Sequence, residues 1–317
     1  MPTIAVAIPC RNEAPTIRAV IEAFRRSLPE SSIHVLDNGS SDDTAAIARQ
    51  CGAMVHPVPS PGKGETVRVM FREIDADVLI MVDGDLTYPP DRARDLIAPL
   101  VDGRAEMVVA TRLLQHEVAS FRPGHRFGNK LVIRAINALF GARLTDALSG
   151  YRAFSRRFVK TMPVLSRGFE IEIEITLHAL NHFIPIVEVP VAYGTRPQGS
   201  ESKLRTIRDG TRVLATILRL FKDYRPLQFF GLIGIVLVAA SAIVGVAVVR
   251  EFMELGHVVG VARAVLAVSA GLVGVVALAT GLILETMNRR AREFYVLLAD
   301  QIIAPSSSRR DSIGPPT

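Results

Sequence analysis

Short β-branched runs alternate with helix-like patterns from the start of the 317-residue chain to about residue 115. This alternation is typical of an α/β fold, in which helices cover a mainly parallel sheet. The predicted strands are Ile4–Ile8, Ile33–Leu36, Met54–Val58, Val78–Val82, Met107–Ala110 and Ile186–Val191. The predicted helices are Ala14–Ser27, Asp43–Gln50, Gly64–Glu73 and Asp91–Val101.

Two long stretches toward the other end of the chain carry no charged residue, namely Leu227–Val249 and Ala264–Leu284. A bilayer core needs roughly 20 apolar residues in helical form, because lipid offers no partner for unpaired backbone groups. Both stretches reach that length. This favours two transmembrane helices over a pair of buried core helices.

Basic residues flank this pair of stretches, with Arg219 and Lys222 before it and Arg289 and Arg290 after it. The positive-inside rule therefore predicts that the large N-terminal part and the C-terminal tail lie in the cytoplasm. The segment after Met1 lacks a basic region followed by an apolar core, so no secretory signal is predicted. We expect a multi-pass protein of the inner or plasma membrane with both termini cytoplasmic.

The chain divides into four predicted parts. Residues 1–202 form the α/β domain. Residues 203–226 place apolar side chains at spacings of three and four among arginines and lysines, which predicts a basic amphipathic helix at the membrane surface. An ordinary surface helix is the alternative. Residues 227–285 hold the two-helix anchor, and residues 286–317 form a cytoplasmic tail that is partly disordered.

Several function classes are disfavoured by what the sequence lacks. No nucleic-acid-binding module accompanies the net charge of +6. Cys10 and Cys51 are the only cysteines, so neither a disulfide framework nor a cysteine zinc site is indicated. The G-x-G-x-x-G fingerprint and the Walker P-loop are absent, which disfavours dinucleotide oxidoreductases and nucleoside triphosphatases. His178 and His182 stand four apart without an H-E-x-x-H pattern, and we interpret them as structural.

The predicted strand Val78–Val82 runs into a pair of carboxylates, Asp83 and Asp85. Hard oxygen ligands suit Mg²⁺ or Mn²⁺, and such ions complete their coordination shell with phosphate oxygens. Aspartates that only cap a turn are the alternative. Ligands of open α/β sheets bind beyond the carboxyl ends of the strands, where two further polar clusters converge with this pair.

These further clusters follow the first two strands and favour recognition of a nucleoside, with turn capping as the alternative. The first contains Pro9, Asn12 and Glu13, and the second begins at Asp37. A glycine-rich turn before the third predicted helix carries Lys63, a cation suited to a phosphate. A plain strand-to-helix connection would have the same composition.

A stripe of four basic residues is predicted on one face of a helix, because they are spaced by four: Arg122, Arg126, Lys130 and Arg134. Arginine suits phosphate geometry, so this stripe is a candidate site for the phosphate of a lipid acceptor. A merely solvated helix face is the alternative.

The ordered set of motifs resembles the family 2 glycosyltransferases of GT-A fold, a Rossmann-like α/β architecture. The motifs are IPCRNEA, LDNGSSDDT, PGKG, DGD, TDALSGYRAFSR and RGFEIEIEI. Within that family the chain is similar to the dolichyl- and polyprenyl-phosphate sugar transferases. The resemblance spans about residues 3–205, and the two C-terminal spans fit the bacterial membrane-anchored members.

The resemblance implies roles for individual residues. Asp85 would be the main metal ligand, shared with Asp83, and Asp146 would lie near the acceptor with Arg152. A phosphate monoester has its second pKa at about 6, so Asp146 is expected to position groups first and to act as a base second. The nucleotide would be lined by Pro9, Asn12, Glu13, Asp37, Lys63 and Asp83. Ser149 would join the acceptor-phosphate residues, and the donor sugar and closing loop would involve Glu170, Arg196 and Lys203.

Two features qualify the resemblance. Thr87 stands where the dolichyl-phosphate mannose synthases have a glutamine, which leaves GDP-mannose as donor open. The chain has no tryptophan and therefore lacks the Q-x-x-R-W motif of processive polysaccharide synthases.

We expect an inverting, metal-dependent transferase that moves a sugar from a nucleotide-sugar, preferably a UDP-sugar, to a polyprenyl phosphate of the cell envelope. The expected cofactor is Mg²⁺ or Mn²⁺. A diacylglycerol or growing-glycan acceptor, a non-catalytic nucleotide-binding scaffold and a homo-oligomer are left open.

Overall fold

The structure is a computed structural model that divides the chain into two compact units, Met1–Asp209 with Leu298–Thr317, and Gly210–Leu297. The backbone is described for residues 2–112, 123–168, 170–194 and 218–303. Side chains are described for the same residues apart from 123–129 and 298–303.

The first unit contains a seven-stranded sheet in the order β3-β2-β1-β4-β6-β5-β7. Strand β6 is antiparallel to β4 and to β5, and the other neighbouring strands are parallel. The strands are β1 (Ile4–Cys10), β2 (Ser32–Asp37), β3 (Met54–Pro57), β4 (Val78–Met81), β5 (Met107–Thr111), β6 (Arg152–Ser155) and β7 (Ile186–Pro190).

Seven α-helices of the described residues surround this sheet, and a 3-10 turn, Pro90–Arg92, precedes the fourth. The helices are α1 (Ile17–Ser27), α2 (Thr44–Gln50), α3 (Lys63–Glu73), α4 (Ala93–Val101), α5 (Pro123–Phe140), α6 (Arg156–Thr161) and α7 (Ile171–Asn181).

The central strands are buried on both faces, which is why they read as unbroken apolar runs. Along β1, Val6 and Ile8 pack into one core with α1, while Ala5 and Ala7 pack into a second core with α3. All four residues of β4 are buried. The predicted α/β fold with a mainly parallel sheet is confirmed.

Two local features differ from the sequence prediction. Strand β6 was not predicted, because it has four residues and begins with a charged one, Arg152. Helix α1 begins at Ile17 rather than at Ala14. The chain before it forms a turn in which the carbonyl of Glu13 accepts from the backbone N–H groups of Thr16 and Ile17. The predicted amphipathic helix, 203–226, falls on described residues only at 218–226, where 218–224 are helical and Arg225 interrupts the helix before Pro226.

The second unit carries two helical segments that are long enough and apolar enough to cross a membrane, Pro226–Leu255 and Val261–Leu297. The helix that contains the second segment runs over Val261–Ile303. Most of their side chains are exposed. The two helices pack against each other within this unit, where the Ser241 hydroxyl donates to the carbonyl of Ala267 over 2.7 Å. This observation fits the predicted two-helix anchor by length and composition.

Candidate active site

The loops that follow β1 and β2 are joined by hydrogen bonds. Asn12 has a positive φ of 55°. Its backbone N–H donates to Ser40 Oγ over 3.0 Å, and its side-chain Oδ1 accepts from the Ser41 N–H over 2.8 Å. The Glu13 N–H donates to Thr44 Oγ1 over 2.9 Å. These bonds hold two of the predicted nucleotide residues at the carboxyl edge of the sheet.

The loop after β3 is tied to the same edge by Asn38, which follows Asp37 at the end of β2. Asn38 donates through Nδ2 to the carbonyl of Ser60 and accepts through Oδ1 from the Gly62 N–H, over 3.1 and 2.9 Å. Gly62 has a φ of 137°, and a Cβ there would overlap the carbonyl oxygen of Arg167. Glycine is therefore required where the chain turns into α3.

Lys63 lies at the start of α3 between two carboxylates. Its ammonium is 2.7 Å from Asp83 Oδ1 and 2.6 Å from Glu172 Oε1. Burial alone would lower the pKa of Lys63, but the two carboxylates raise it above its ordinary value, so the side chain stays charged. Among the predicted residues, Lys63 and Asp83 are brought together by this contact.

Glu172, rather than the predicted Glu170, carries the buried carboxylate of this group. Glu172 is buried, with 5% of its surface exposed. Glu170 is exposed, and its Oε1 accepts from the Gly168 N–H. Acidic residues alternate through this segment, and the first turn of α7 turns Glu172 inward. The sequence missed Glu172 because the alternation fits a strand and a helix equally well.

The turn after β4 holds the Asp83–Asp85 pair. The Thr16 hydroxyl donates to the carbonyl of Gly84 over 2.7 Å, which ties this turn to the start of α1. Asp85 is 3% exposed, and its Oδ1 accepts from the N–H and the hydroxyl of Thr87 over 3.2 and 2.6 Å. The described residues contain no group of three or more His, Cys, Asp or Glu side chains placed to hold a metal ion. Two carboxylates nevertheless fit the hard oxygen donors that Mg²⁺ and Mn²⁺ take together with phosphate oxygens and water.

A bidentate ion pair lies at the end of β5. Arg112 donates through Nε to Asp146 Oδ2 over 2.7 Å and through Nη2 to Asp146 Oδ1 over 2.9 Å. The side chains are 18% and 6% exposed. Burial alone would lower the pKa of Arg112, but Tyr88 and Asp146 raise it above its ordinary value. Arg112 is a second residue that the sequence missed, since a single arginine after a strand carries no pattern.

Asp146 is held from its other side as well. Its backbone N–H donates to Glu188 Oε1 over 3.0 Å, and its Oδ1 also accepts from the Leu148 N–H over 3.0 Å. Both carboxylate oxygens are thus occupied by donors. The role predicted for Asp146, positioning ahead of base catalysis, stays a prediction.

Arg152 and Ser149 are buried beneath this loop, each with a relative exposure of 0%. Arg152 donates to the carbonyls of Ala147 and Ser149 over 2.7 and 2.9 Å and to Thr176 Oγ1 over 2.9 Å. Burial lowers the pKa of Arg152. These contacts give Arg152 the geometry of a residue that shapes the loop rather than one that touches substrate.

The loop around Ser149 contacts the turn after β4 through Tyr88 and Asp83. The Tyr88 hydroxyl accepts from the Gly150 N–H over 3.0 Å and lies 3.3 Å from Ser149 Oγ. A Cβ at Gly150 would overlap Asp83 Oδ2. Asp83 is therefore packed between Lys63 and the backbone of this loop.

The remaining predicted residues have different positions. Pro9 lies within β1, and Asp37 ends β2, where its Oδ1 accepts from the Ser40 N–H over 3.1 Å. Lys130 and Arg134 are exposed on α5. The other predicted acceptor and loop residues lie outside the described part, wholly or by their side chains: Arg122, Arg126, Arg196 and Lys203.

Comparison with known proteins agrees with this geometry. The family model described as Glycosyl transferase family 2 matches residues 5–162. Glycosyltransferase AglJ from Haloferax volcanii is 36% identical over 243 residues, which cover 74% of this chain and 78% of that protein. Undecaprenyl-phosphate mannosyltransferase from Micrococcus luteus is 26% identical over 222 residues, which cover 63% of this chain and 87% of that protein.

The fold also matches a solved structure, that of glucosyl-3-phosphoglycerate synthase from Mycobacterium tuberculosis in complex with Mn²⁺ and uridine-diphosphate-glucose. The two share 25% sequence identity with a TM-score of 0.56, over 70% of this chain and 78% of that one. The mainly parallel sheet, the polar groups at its edge and the sequence matches lead to one conclusion. The chain belongs to glycosyl transferase family 2 and has the GT-A-like α/β fold.

Proposed function

We propose that the protein transfers a sugar, with inversion, from a nucleotide-sugar to the phosphate of a polyprenyl phosphate. A UDP-sugar is the preferred donor, and GDP-mannose is the second candidate. The observation that carries the proposal is the convergence of the Lys63–Asp83–Glu172 group, Asp85 and the Arg112–Asp146 pair at one edge of the sheet.

The charges on one side of this edge indicate a need for a divalent cation. Lys63, Asp83, Glu172 and Asp85 bring one positive and three negative charges into a mostly buried space. An anionic diphosphate would be repelled there unless a cation lay between it and the carboxylates. When bound, Mg²⁺ or Mn²⁺ would stabilise the charge that develops on the departing diphosphate. We call residues 2–88, which contain Lys63, Asp83 and Asp85, the donor region.

The acceptor phosphate is assigned to the opposite side, the acceptor region, which comprises residues 107–112 and 123–194. Arg112 is partly exposed, and arginine suits the geometry of a phosphate. Asp146 orients Arg112 through two hydrogen bonds. The same pair offers no unoccupied carboxylate oxygen for proton abstraction, and a phosphate acceptor that is mostly a dianion at neutral pH requires none.

The proposed step is a single displacement. An oxygen of the lipid phosphate forms a bond to the anomeric carbon while the bond from that carbon to the nucleoside diphosphate breaks. The electron pair of the broken bond leaves with the diphosphate, and no proton needs to move. Lys63 would hold the diphosphate, and Arg112 would hold the attacking phosphate.

The two apolar helices support a membrane acceptor, since a protein anchored at the bilayer meets lipid phosphates at headgroup level. The undecaprenyl-phosphate mannosyltransferase among the relatives supports the same class of acceptor by its name. We place the catalytic unit on the cytoplasmic side, where nucleotide-sugars are made, in accordance with the basic flanks of the two helices.

The test uses the full chain in detergent with Mn²⁺ or Mg²⁺, undecaprenyl phosphate and radiolabelled UDP-glucose, UDP-N-acetylglucosamine or GDP-mannose. We expect label to enter the organic-extractable lipid with one donor. The Asp85→Asn variant should lose this transfer. The matched Asp77→Asn variant should keep it, because Asp77 precedes β4 at the opposite end of that strand and accepts from Thr3.

Two other outcomes would redirect the proposal. Label that enters a diacylglycerol or a glycan instead of the polyprenyl phosphate would show that the acceptor is wrong. Nucleotide binding without transfer to any acceptor would favour a non-catalytic scaffold.

A further inference from the structure

Thr87 makes two hydrogen bonds to the carboxylate of Asp85, two residues before it. Both residues are buried, at 2% and 3% exposure, and Thr87 donates to Asp85 Oδ1 with its N–H and its hydroxyl over 3.2 and 2.6 Å. Leu86 between them has a φ of 60°, which is uncommon for a residue with a Cβ. Such a conformation costs free energy and persists only when its surroundings hold it.

Thr87 is also held from its other side. The Gly194 N–H donates to the carbonyl of Thr87 over 2.8 Å, and Tyr88, the next residue, accepts from the Gly150 N–H. The carbonyl of Thr87 and the side chain of the next residue are thus each held by a partner from the acceptor region. The hydroxyl of Thr87 therefore stays directed at Asp85.

The two hydrogen bonds restrict how Asp85 binds a cation. A carboxylate oxygen has about two lone-pair positions, and Thr87 occupies both on Oδ1. Asp85 is then expected to bind a cation through a single oxygen. One-oxygen carboxylate ligands suit the small octahedral shell of Mg²⁺ and the similar shell of Mn²⁺, whereas the larger shell of Ca²⁺ accepts carboxylates that bind through both oxygens.

We propose that Thr87 is a positioning residue that keeps Asp85 a one-oxygen ligand and thereby favours Mn²⁺ or Mg²⁺ over Ca²⁺. The inference rests on the proposed function, in which Asp85 binds the metal of the nucleotide complex. It also gives a physical role to the position at which this chain departs from the mannose synthases. The hydroxyl of Thr87 does not contact the cation and acts through Asp85.

The chain contains a matched arrangement that provides a control. Thr3 donates with its N–H and its hydroxyl to Asp77 Oδ2 over 2.8 and 2.9 Å. Asp77 precedes β4, at the opposite end of that strand from the Asp83–Asp85 turn. Removal of the Thr3 hydroxyl should leave the cation preference unchanged.

The experiment measures cation binding directly, without turnover. Mn²⁺ binding to the full chain in detergent is followed by electron paramagnetic resonance with saturating UDP, and Ca²⁺ is then added as competitor. We expect Thr87→Val to bind Mn²⁺ about tenfold more weakly, as is typical when a hydrogen-bond partner of a metal ligand is lost. The affinity for Ca²⁺ should change less, so the ratio of the Mn²⁺ affinity to the Ca²⁺ affinity should fall by a similar factor. Thr87→Ser should restore the preference, and Thr3→Val should retain it.

Three results would overturn the inference. These are an unchanged Mn²⁺-to-Ca²⁺ preference in Thr87→Val, a Thr87→Ser variant as unselective as the valine variant, and an equal loss of preference in Thr3→Val. Thr87→Ala carries the same test if the valine variant does not fold. If the unsubstituted chain binds no Mn²⁺ with UDP or GDP, the metal step of the proposed function fails; if it binds and only the variants disagree, the role of Thr87 alone fails.

Discussion

The donor and acceptor regions organise polar groups at the same sheet edge in different ways. In the donor region, loops after parallel strands bond to one another through main-chain groups and small side chains, as between Asn12 and Ser40. In the acceptor region, guanidinium groups organise the chain, with the partly exposed Arg112 on Asp146 and the buried Arg152 on two carbonyls. The contact between Lys63 and Glu172 joins the two regions.

This difference implies different consequences of substitution. A donor-region loop keeps its backbone bonds when one charged side chain is replaced, so binding should suffer more than folding. An acceptor-region guanidinium satisfies several buried acceptors at once, so its loss should reduce stability. The predictions below test this contrast, from the largest expected effect to the smallest.

Gly150→Ala should have the largest effect, because it acts where the two regions touch. The added Cβ would overlap Asp83 Oδ2, so the carboxylate that binds Lys63 must move. A displacement of about 1 Å at a reacting site can cost on the order of 100-fold, and we expect at least that loss in kcat/KM for sugar transfer. Gly141→Ala, where a Cβ would meet open space, should keep most of the activity despite its φ of 65°. Equal losses in both variants would contradict the account.

Arg152→Met should destabilise the α/β unit by about 3 kcal/mol, because it removes the guanidinium donor from the buried Ser149 carbonyl and leaves the Ala147 carbonyl only a long bond of 3.5 Å from Thr176. The measurement is urea unfolding of the full chain in detergent. Arg152→Lys retains the charge but not the planar array of donors, so it should lose roughly half as much. A normal urea midpoint in the methionine variant would show that Arg152 does not shape the loop.

Lys63→Met should weaken binding of the nucleotide by about 30-fold while the KM for the lipid phosphate changes little. A hydrogen bond to a charged group contributes about 1.5–3 kcal/mol, which sets this magnitude. Lys160→Met removes a surface ammonium that lies 3.2 Å from Asp75 and should leave nucleotide binding unchanged. If the KM of the lipid phosphate rises as much as the Kd of the nucleotide, Lys63 serves both regions.

The sequence predicted the donor region better than the acceptor region. Strands such as Val78–Met81 are buried on both faces and lie between turns, so their apolar runs show where they end and where polar clusters meet. Strand β6, in the acceptor region, was not predicted. It has only four residues and starts with an arginine whose burial depends on partners distant in sequence.

The candidate site was predicted only in part. Asp83 and Lys63 were named and do lie together. Arg112 and Glu172 were not named, because their roles depend on Asp146 and on Lys63, which only the tertiary fold places beside them. The assigned functions of all these residues stay predictions.

The smallest expected effect concerns the pH dependence of stability in the acceptor region. Burial and the neighbouring His182 lower the pKa of His178 to about 3, below its unfolded value of 6.5. The unfolded chain therefore binds this proton first, so the stabilising contribution is complete above pH 6.5 and declines as the pH falls toward 3.

At pH 5.5 this loss amounts to about 1 kcal/mol. His178→Leu should flatten the urea stability profile between pH 6.5 and 5.5 by that amount. An unchanged slope would contradict a neutral, buried His178.

Arg112→Lys gives the most direct test of the division between donor and acceptor regions, because it retains the charge and removes the bidentate geometry. The measurement is the Kd of UDP with Mn²⁺ together with the KM of undecaprenyl phosphate, both on the full chain in detergent. We expect the KM of the lipid phosphate to rise about tenfold or more while the Kd of UDP stays within about twofold. A Kd of UDP that rises as much as the KM of the lipid phosphate would contradict it.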